Sequence, residues 1–238
     1  MALCWSLDKI GPICRSAEDC ALVLDAIAGP DPRDPSTIDV PLNLDLSSSI
    51  RGVRVGYLAE EYARNGTDAD RASLEALRRL GVELFPLEVP DGPYHEVIRL
   101  ILDVEAAAAF DDMTRDNRDD GLRRQDDRAW PNTFRRARLI PAIEYVQARR
   151  LRRRFMRDAA MLFESAAVVI APQSHDAMHS LTNMTGQPAL TIRQAFRADG
   201  TPGAVTLWGS LFDESTLLRV GAALERELGL WKKRPTLS

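Results

Sequence analysis

The chain has 238 residues, 45% of them hydrophobic, and a formal net charge of −4. That length and composition predict a globular protein with one sizeable core rather than a disordered chain. Because the charges nearly balance, no overall field favours nucleic acid or an anionic membrane as a partner. No run reaches the ~18 apolar residues of a membrane-spanning helix, and residues 1–5 are too short for a signal-peptide core.

The three cysteines, Cys4, Cys14 and Cys20, are odd in number and lack C-x-x-C spacing. This pattern argues against a framework of disulfides and against a zinc site. The cysteine usage therefore favours a reducing compartment, and we expect a cytoplasmic protein.

The first predicted element is a turn followed by a helix with marked ends. The Gly-Pro pair at 11–12 stops any preceding strand, and Ser16 with Asp19 three residues later offers a capping box. The Gly-Pro pair at 29–30 ends the helix. Its apolar stripe consists of Ala17, Cys20, Leu24 and Ile27, widened by Ala21 and Val23.

Period-two alternation and short apolar runs predict five strands, at residues 53–58, 82–87, 167–172, 188–192 and 204–208. Apolar residues at helical spacing predict further helices at 70–80, 94–110, 143–163 and 214–228. The order strand, helix, strand over 53–87 indicates a parallel crossover. The predicted fold class is therefore α/β, with a mixed β-sheet flanked by helices.

Residues 111–128 form a charged stretch of seven acidic and five basic residues with little apolar content. Such a run is typical of a solvated surface excursion, part helix and part loop. We expect Trp130-Pro131-Asn132 to break the chain after it. Residues 231–238 are expected to form a frayed tail.

The helix at 143–163 carries a cluster of arginines at 149, 150, 152, 153, 154 and 157. A basic helix face can neutralise phosphates. However, Asp158 follows Arg154 by four residues, and no aromatic residues interleave for base stacking. We favour a solvated or ion-paired face, with contact to an anionic substrate as the alternative, and we expect no nucleic-acid partner.

The loop at 173–179 follows the most apolar strand and is the candidate ligand site, because ligands of open α/β sheets bind beyond the carboxyl ends of strands. His175 and His179 are four residues apart, a spacing that could hold zinc on a helix. The usual zinc motif has glutamate where this chain has Asp176, and no third ligand is evident. We predict no metal, and pocket lining and ordinary surface packing stay open for these residues.

Two separated blocks carry a more specific pattern. Residues 6–34 read Ser-Leu-Asp-x-Ile-Gly-Pro, then Arg-Ser-x-Glu-Asp, Ile-Ala-Gly and Asp-Pro-Arg-Asp. Residues 182–218 contain Thr-Asn-Met-Thr-Gly-Gln-Pro-Ala-Leu, Asp-Gly-Thr-Pro and Phe-Asp-Glu-Ser-Thr-Leu-Leu. In this order the blocks resemble the C-terminal half of the amidase signature family. The resemblance implies a hydrolase of carbon–nitrogen amide bonds.

For the catalytic residues, the resemblance implies a Ser–cis-Ser–Lys triad with a Gly/Ser-rich loop. This sequence has no Gly-Gly-Ser-Ser stretch, and its only lysines are Lys9, Lys232 and Lys233. We therefore expect a truncated amidase with no catalytic residue in this chain, inactive on its own. Ser6 with Lys9 is the other candidate pair, but neither a desolvated lysine nor an oxyanion hole is evident nearby. Asp8 is interpreted as a residue that holds the turn.

The second block also implies functional positions. Asn183, Thr185 and Gly186 match the family's Asn-Leu-Thr-Gly-x-Pro pattern, with Met184 in place of leucine. We favour a structural role for them, capping backbone groups at the turn into the following strand. The candidates for the wall of a substrate pocket are Tyr145, Arg149, His175, Asp176 and His179.

These patterns predict one domain fragment over residues 1–238. No metal or organic cofactor is expected, because the family's acyl transfer needs only its triad and backbone N–H donors. The expected partners are a small-molecule amide substrate and either a second copy of the chain or a complementing N-terminal half. The alternative function is a non-catalytic scaffold or partner subunit, and no membrane partner is expected.

Overall fold

The computed structural model describes residues 2–172 and 176–233, apart from the side chain of Asp176. The described residues fall into two compact units. Unit 1 contains residues 2–10, 91–159 and 176–186, and unit 2 contains residues 11–90, 160–172 and 187–233. That the chain is one domain stays a prediction. None of the helices in these ranges combines the length and apolar character needed to cross a membrane.

In chain order, the helices and strands are α1 (Ala17–Ile27), β1 (Arg54–Leu58), α2 (Ala59–Asn65), α3 (Asp68–Arg79), β2 (Glu83–Leu87), α4 (Tyr94–Ala109), α5 (Asp111–Arg115), a 3-10 turn (Arg118–Gly121), α6 (Trp130–Ala137), α7 (Ala142–Ser165), β3 (Val168–Pro172), α8 (Asp176–Thr185), β4 (Ala189–Phe196), β5 (Pro202–Gly209) and α9 (Glu214–Leu228).

Unit 2 contains a five-stranded sheet in the order β2-β1-β3-β5-β4. Strand β1 pairs in parallel with β2 and β3, whereas β5 pairs antiparallel with β3 and β4. All residues of the central strand β3 are buried, as its uninterrupted apolar sequence predicts. The predicted mixed α/β sheet flanked by helices is confirmed.

The hairpin of β4 and β5 is longer than the sequence indicates. The two strands continue to a turn at Asp199 and Gly200, whose φ of +81° is one that glycine adopts readily. A register shift between Arg193 and Ala195 marks an irregularity in β4. Gln194 beside it is buried, so the apolar alternation stops there although the strand continues.

The predicted start of helix α1 is confirmed, but only part of its predicted apolar stripe is buried. The Ser16 Oγ atom accepts the Asp19 N–H at 3.0 Å and caps the helix. Ala17 and Ala21 are buried, and Cys20 and Leu24 are partly buried against the core. Ile27 is 56% exposed, because the contacts of α1 are made chiefly with a single helix, α9.

Unit 1 is helical, and two of its elements correct the sequence-based expectation. Trp130-Pro131-Asn132 does not break the chain but begins α6, since proline at the first helical positions needs no N–H partner. The predicted ligand loop at 173–179 is helical from Asp176, where α8 begins. Residues 173–175 lie outside the described ranges.

Most charged residues in 111–128 are exposed, but Asp111 is partly buried and Asp119 is buried. Asp119 is 1% exposed and pairs with Arg135 of α6 at 2.6 Å. A small apolar cluster lies beside this segment, and Phe110 stacks on Phe134 at its centre with ring centroids 5.0 Å apart. The solvated excursion over 111–128 and the frayed tail over 231–238 stay predictions.

Candidate functional site

The main polar cluster of unit 1 is built around the carboxylate of Glu105 on α4. Its Oε1 atom accepts the Ser6 hydroxyl at 2.7 Å, the Tyr145 hydroxyl at 2.8 Å and an Arg149 N–H at 3.3 Å. Its Oε2 atom accepts the Ser6 backbone N–H at 3.0 Å and the Cys4 thiol at 3.1 Å. The Glu105 side chain is only 11% exposed, so these five donors replace most of its hydration. We call these residues the Glu105 cluster.

The donors of the Glu105 cluster come from a short turn and one helix. Asp8 holds the turn, because its Oδ2 atom accepts the backbone N–H groups of Leu3 and Cys4 at 2.7 and 3.2 Å. This confirms the interpretation of Asp8 as a turn-holding residue. On α7, Tyr145 and Arg149 are four residues apart and therefore lie on the same side of the helix.

Arg152 ties the same turn to α8. Its Nε atom donates to the Met184 carbonyl and its Nη2 atom to the Ser6 carbonyl, both at 2.6 Å. Burial lowers the pKa of Arg152, and the nearby charge of Arg149 lowers it further. The arginine run on α7 therefore includes two residues with specific partners inside unit 1, in addition to its solvated members.

The pKa shifts in the cluster favour a stable network over a reactive one. Burial raises the pKa of Glu105, but the hydrogen bonds from Ser6, Cys4 and Tyr145 outweigh it and the net pKa is lowered. Burial, followed by the bond to Glu105, raises the pKa of Cys4 to about 12 and also raises the pKa of Tyr145. Near pH 7 the thiol and the phenol therefore stay protonated donors, and Glu105 stays an anionic acceptor.

The geometry does not prepare Ser6 for nucleophilic attack. Its hydroxyl proton is donated to Glu105, a carboxylate whose lowered pKa makes it a weak base. Lys9 donates instead to the Thr182 carbonyl at 3.3 Å. Neighbouring atoms around its amine lower the pKa of Lys9 by desolvation, although the residue as a whole is exposed.

The structure brings together two of the five predicted pocket residues. Tyr145 and Arg149 meet on Glu105. His179 lies in the first turn of α8 and is partly buried, Asp176 begins that helix, and His175 lies outside the described ranges. A pocket formed by all five therefore stays a prediction. Within residues 2–172 and 177–233, no group of three or more His, Cys, Asp or Glu side chains is arranged to hold a metal ion.

The predicted structural motif lies at the end of α8. The Thr185 hydroxyl donates to the Leu181 carbonyl at 2.8 Å, inside the helix. The Gly186 N–H donates to the Thr182 carbonyl at 2.9 Å, and its φ of +95° lets the chain leave the helix. Asn183 lies in the last turn and is partly buried. A role for these residues beyond ending the helix stays a prediction.

Sequence reasoning missed Glu105, although it predicted the helix that carries it. One local signal was available, because Glu105 lies four residues after the buried Ile101 and directly before the buried Ala106 of α4. An acid on an apolar helix face needs donors from elsewhere in the fold. Those donors lie about 40 and 100 positions away.

Comparison with known proteins gives consistent results. The Amidase family model matches residues 1–218. An amidase from Pseudomonas putida is 31% identical over 99% of this chain and 56% of its own length. A glutamyl-tRNA(Gln) amidotransferase subunit from Anaeromyxobacter dehalogenans is 30% identical over 96% of this chain and 56% of its own. The peptide amidase of Stenotrophomonas maltophilia has the same fold, with a TM-score of 0.77 at 24% identity, over 96% of this chain and 55% of its own. The chain spans about 56% of the length of these curated relatives.

Proposed function

Because this chain belongs to the amidase family, we propose that it serves the hydrolysis of carbon–nitrogen amide bonds together with a part of the fold that it does not cover. The observation that carries the proposal is the match of the family model over residues 1–218. The proposal includes no cofactor, since acyl transfer by such an enzyme requires a nucleophile, a base and N–H donors.

The residues of this chain support a non-catalytic contribution to that reaction. The sequence contains three lysines and no Gly-Gly-Ser-Ser stretch. The hydroxyl of Ser6 is bonded to Glu105, and Lys9 is bonded to a backbone carbonyl. We therefore assign the nucleophile and its base to the complementing part. This chain supplies the sheet and one wall of the substrate pocket, for which Tyr145, Arg149, His175, Asp176 and His179 are the candidates.

The test compares the isolated chain with a complemented one. The isolated chain is expected neither to hydrolyse a chromogenic anilide nor to react with a fluorophosphonate probe. Co-expression with the N-terminal half of the Pseudomonas putida amidase should restore both, unless the nucleophilic serine of that half is replaced by alanine. Labelling of the isolated chain that Ser6→Ala abolishes would overturn the assignment.

A second candidate function is that of a non-catalytic scaffold or partner subunit. It is favoured by one relative, which is named as a subunit of an amidotransferase. In this case the chain would bind a complementing half without contributing to the rate of amide cleavage. Replacing Tyr145 by Phe and Arg149 by Gln in the complemented enzyme distinguishes the two candidates. A changed kcat or KM supports a pocket wall, and unchanged kinetics support a scaffold.

A further inference from the structure

A groove of about 720 Å³ in unit 2 contains two of the three cysteines. Cys14 and Cys20 both line it, on the segment that leads into α1 and on the first turn of that helix. Four basic side chains, Arg15, Arg193, Lys232 and Lys233, line the same groove, together with the acidic Asp19 and Glu225. The groove is open, so small reagents in solution can reach its lining.

The two cysteines of this groove lie on segments that are in contact. The thiol and the backbone N–H of Cys14 lie near enough to Cys20 to shift the pKa of its thiol. The Cys20 sulfur lies 3.9 Å from the Pro12 carbonyl oxygen as well. The chain therefore folds back before α1 so that residues 12–14 cover the side chain of Cys20. A bond between two sulfurs requires two cysteines held close together, and this fold brings the segment that carries Cys14 against Cys20.

The two thiols differ in accessibility. Cys14 is exposed, whereas Cys20 is partly buried. Burial, together with the contact to Cys14, raises the pKa of Cys20 to about 11. An attacking oxidant therefore meets Cys14 first, while Cys20 is held beside it as a second thiol. An accessible cysteine next to a second, resolving cysteine is the arrangement found in oxidation-sensitive sites.

We propose that Cys14 and Cys20 form a modification site at which peroxides produce an intramolecular disulfide. In the first step the Cys14 thiolate attacks a peroxide oxygen, the O–O bond breaks, and Cys14 becomes a sulfenic acid as water or an alcohol leaves. In the second step the Cys20 sulfur attacks the Cys14 sulfur, and the hydroxyl leaves as water. The two thiols lose two electrons and two protons, and the peroxide gains them.

The disulfide would link the segment before α1 to the first turn of that helix. Such a link closes a small loop around the Ser16 cap. Reduction by a low-molecular-weight thiol would reopen it, in keeping with the reducing compartment that the cysteine usage favours. The proposal does not depend on amide hydrolysis, because neither cysteine belongs to the Glu105 cluster.

The positions of lysine and arginine make a direct test possible. Cleavage after Lys9, Arg15 and Arg33 by trypsin places the three cysteines on three separate peptides, 1–9, 10–15 and 16–33. Each possible disulfide therefore has its own mass. The full chain is treated with a small excess of hydrogen peroxide, its free thiols are alkylated, and the digest is analysed without reduction. We expect to detect the peptides 10–15 and 16–33 joined by a disulfide, with a mass 2 Da below the sum of the two free peptides. Peptide 1–9 should carry an alkylated Cys4.

Two variants complete the experiment. Cys4→Ser should leave the linked pair unchanged, and Cys20→Ser should abolish it and leave Cys14 as a sulfenic or more oxidised acid. A disulfide between two copies of Cys14, a link to Cys4, or irreversible oxidation of Cys14 in the unaltered chain would overturn the proposal. Because the unaltered chain gives the deciding result, a failure of either variant to fold does not affect it.

Discussion

Glu105 shows how one buried charge organises a helical unit. A carboxylate has about four lone-pair positions, and five donors converge on this one. The Glu105 carboxylate therefore holds both the turn around Ser6 and the first half of α7. Removing one donor leaves four, but removing the acceptor leaves the buried Cys4 thiol and the Ser6 N–H without their partner.

The first prediction at this scale is the effect of Glu105→Gln on stability. The glutamine amide has one acceptor oxygen where the carboxylate has two. Its NH2 group is itself a donor and cannot accept the hydrogen bonds that point at it. We expect the free energy of unfolding at pH 7 to fall by about 2 kcal/mol, since hydrogen bonds to charged groups contribute about 1.5–3 kcal/mol each and some are kept. Urea unfolding measures this, and hydrogen exchange at the Ser6 amide should become faster. Glu96→Gln, an exposed acid on the same helix, is the control and should change stability by less than about 0.5 kcal/mol.

The same substitution should change the pH dependence of stability. The net pKa of Glu105 lies below its ordinary value of 4.5 in the folded chain. A lowered pKa gives stability that is fully present above the unfolded pKa and is lost as pH falls through the folded pKa. The free energy of unfolding should therefore differ between the unaltered chain and Glu105→Gln by a constant amount from pH 6 to 8. This difference should shrink below about pH 4.5. A difference that does not change with pH would show that the loss comes from packing, not charge.

At the scale of elements, local sequence signals predicted most of the sheet and missed what depends on distant contacts. The central strand β3 and the capped helix α1 have clear local patterns, and both were predicted. Helix α2 was missed because its seven residues contain one buried side chain, Tyr62, and no cap. Helix α6 was misread because Pro131 was interpreted as a break. The donors of Glu105 could not be predicted from any window, since they come from segments far apart in the sequence.

The link between α3 and β4 gives a prediction at the scale of elements. Asp70 accepts from the backbone and hydroxyl of Thr67 in a reciprocal capping box, and it also accepts the Gln194 side-chain amide at 2.6 Å. Asp70 and Gln194 are both buried. Asp70→Ala should therefore remove a cap and weaken a contact between helix and strand, lowering the free energy of unfolding by about 2–3 kcal/mol. Urea unfolding of the variant and the unaltered chain measures the difference.

The control for this prediction is in the same helical turn. Asp68 is fully exposed and pairs only with Arg71 at 3.1 Å in the described part of the chain. Asp68→Ala should leave the free energy of unfolding close to that of the unaltered chain, because exposed ion pairs contribute little. Equal losses for Asp68→Ala and Asp70→Ala would show that the helix dipole, rather than the link to Gln194, dominates.

At the scale of the whole molecule, the surfaces of the two units leave large apolar side chains in water. In unit 1, Trp5 is 81% and Ile10 94% exposed. In unit 2, Leu22 and Ile27 on α1 are both more than half exposed, and β4 forms one edge of the sheet among the described strands. Exposed apolar patches and unpaired strand edges recruit other chains. The relatives, of which this chain spans about 56%, have further sequence that could cover such surfaces.

We therefore expect the isolated chain to self-associate. Each large apolar side chain left uncovered forgoes about 1.5–3 kcal/mol of burial, against a typical total stability of about 5–15 kcal/mol, so a few such residues decide the outcome. Gel filtration with light scattering should give dimers or larger species for the chain alone and a defined complex on co-expression with the N-terminal half of a related amidase. Leu22→Gln with Ile27→Gln should reduce the self-association, while Leu24→Gln, whose side chain packs against the core, should instead destabilise the fold. A sharp monomer peak with cooperative thermal unfolding would show that the chain is stable alone, and the scaffold function would then be preferred.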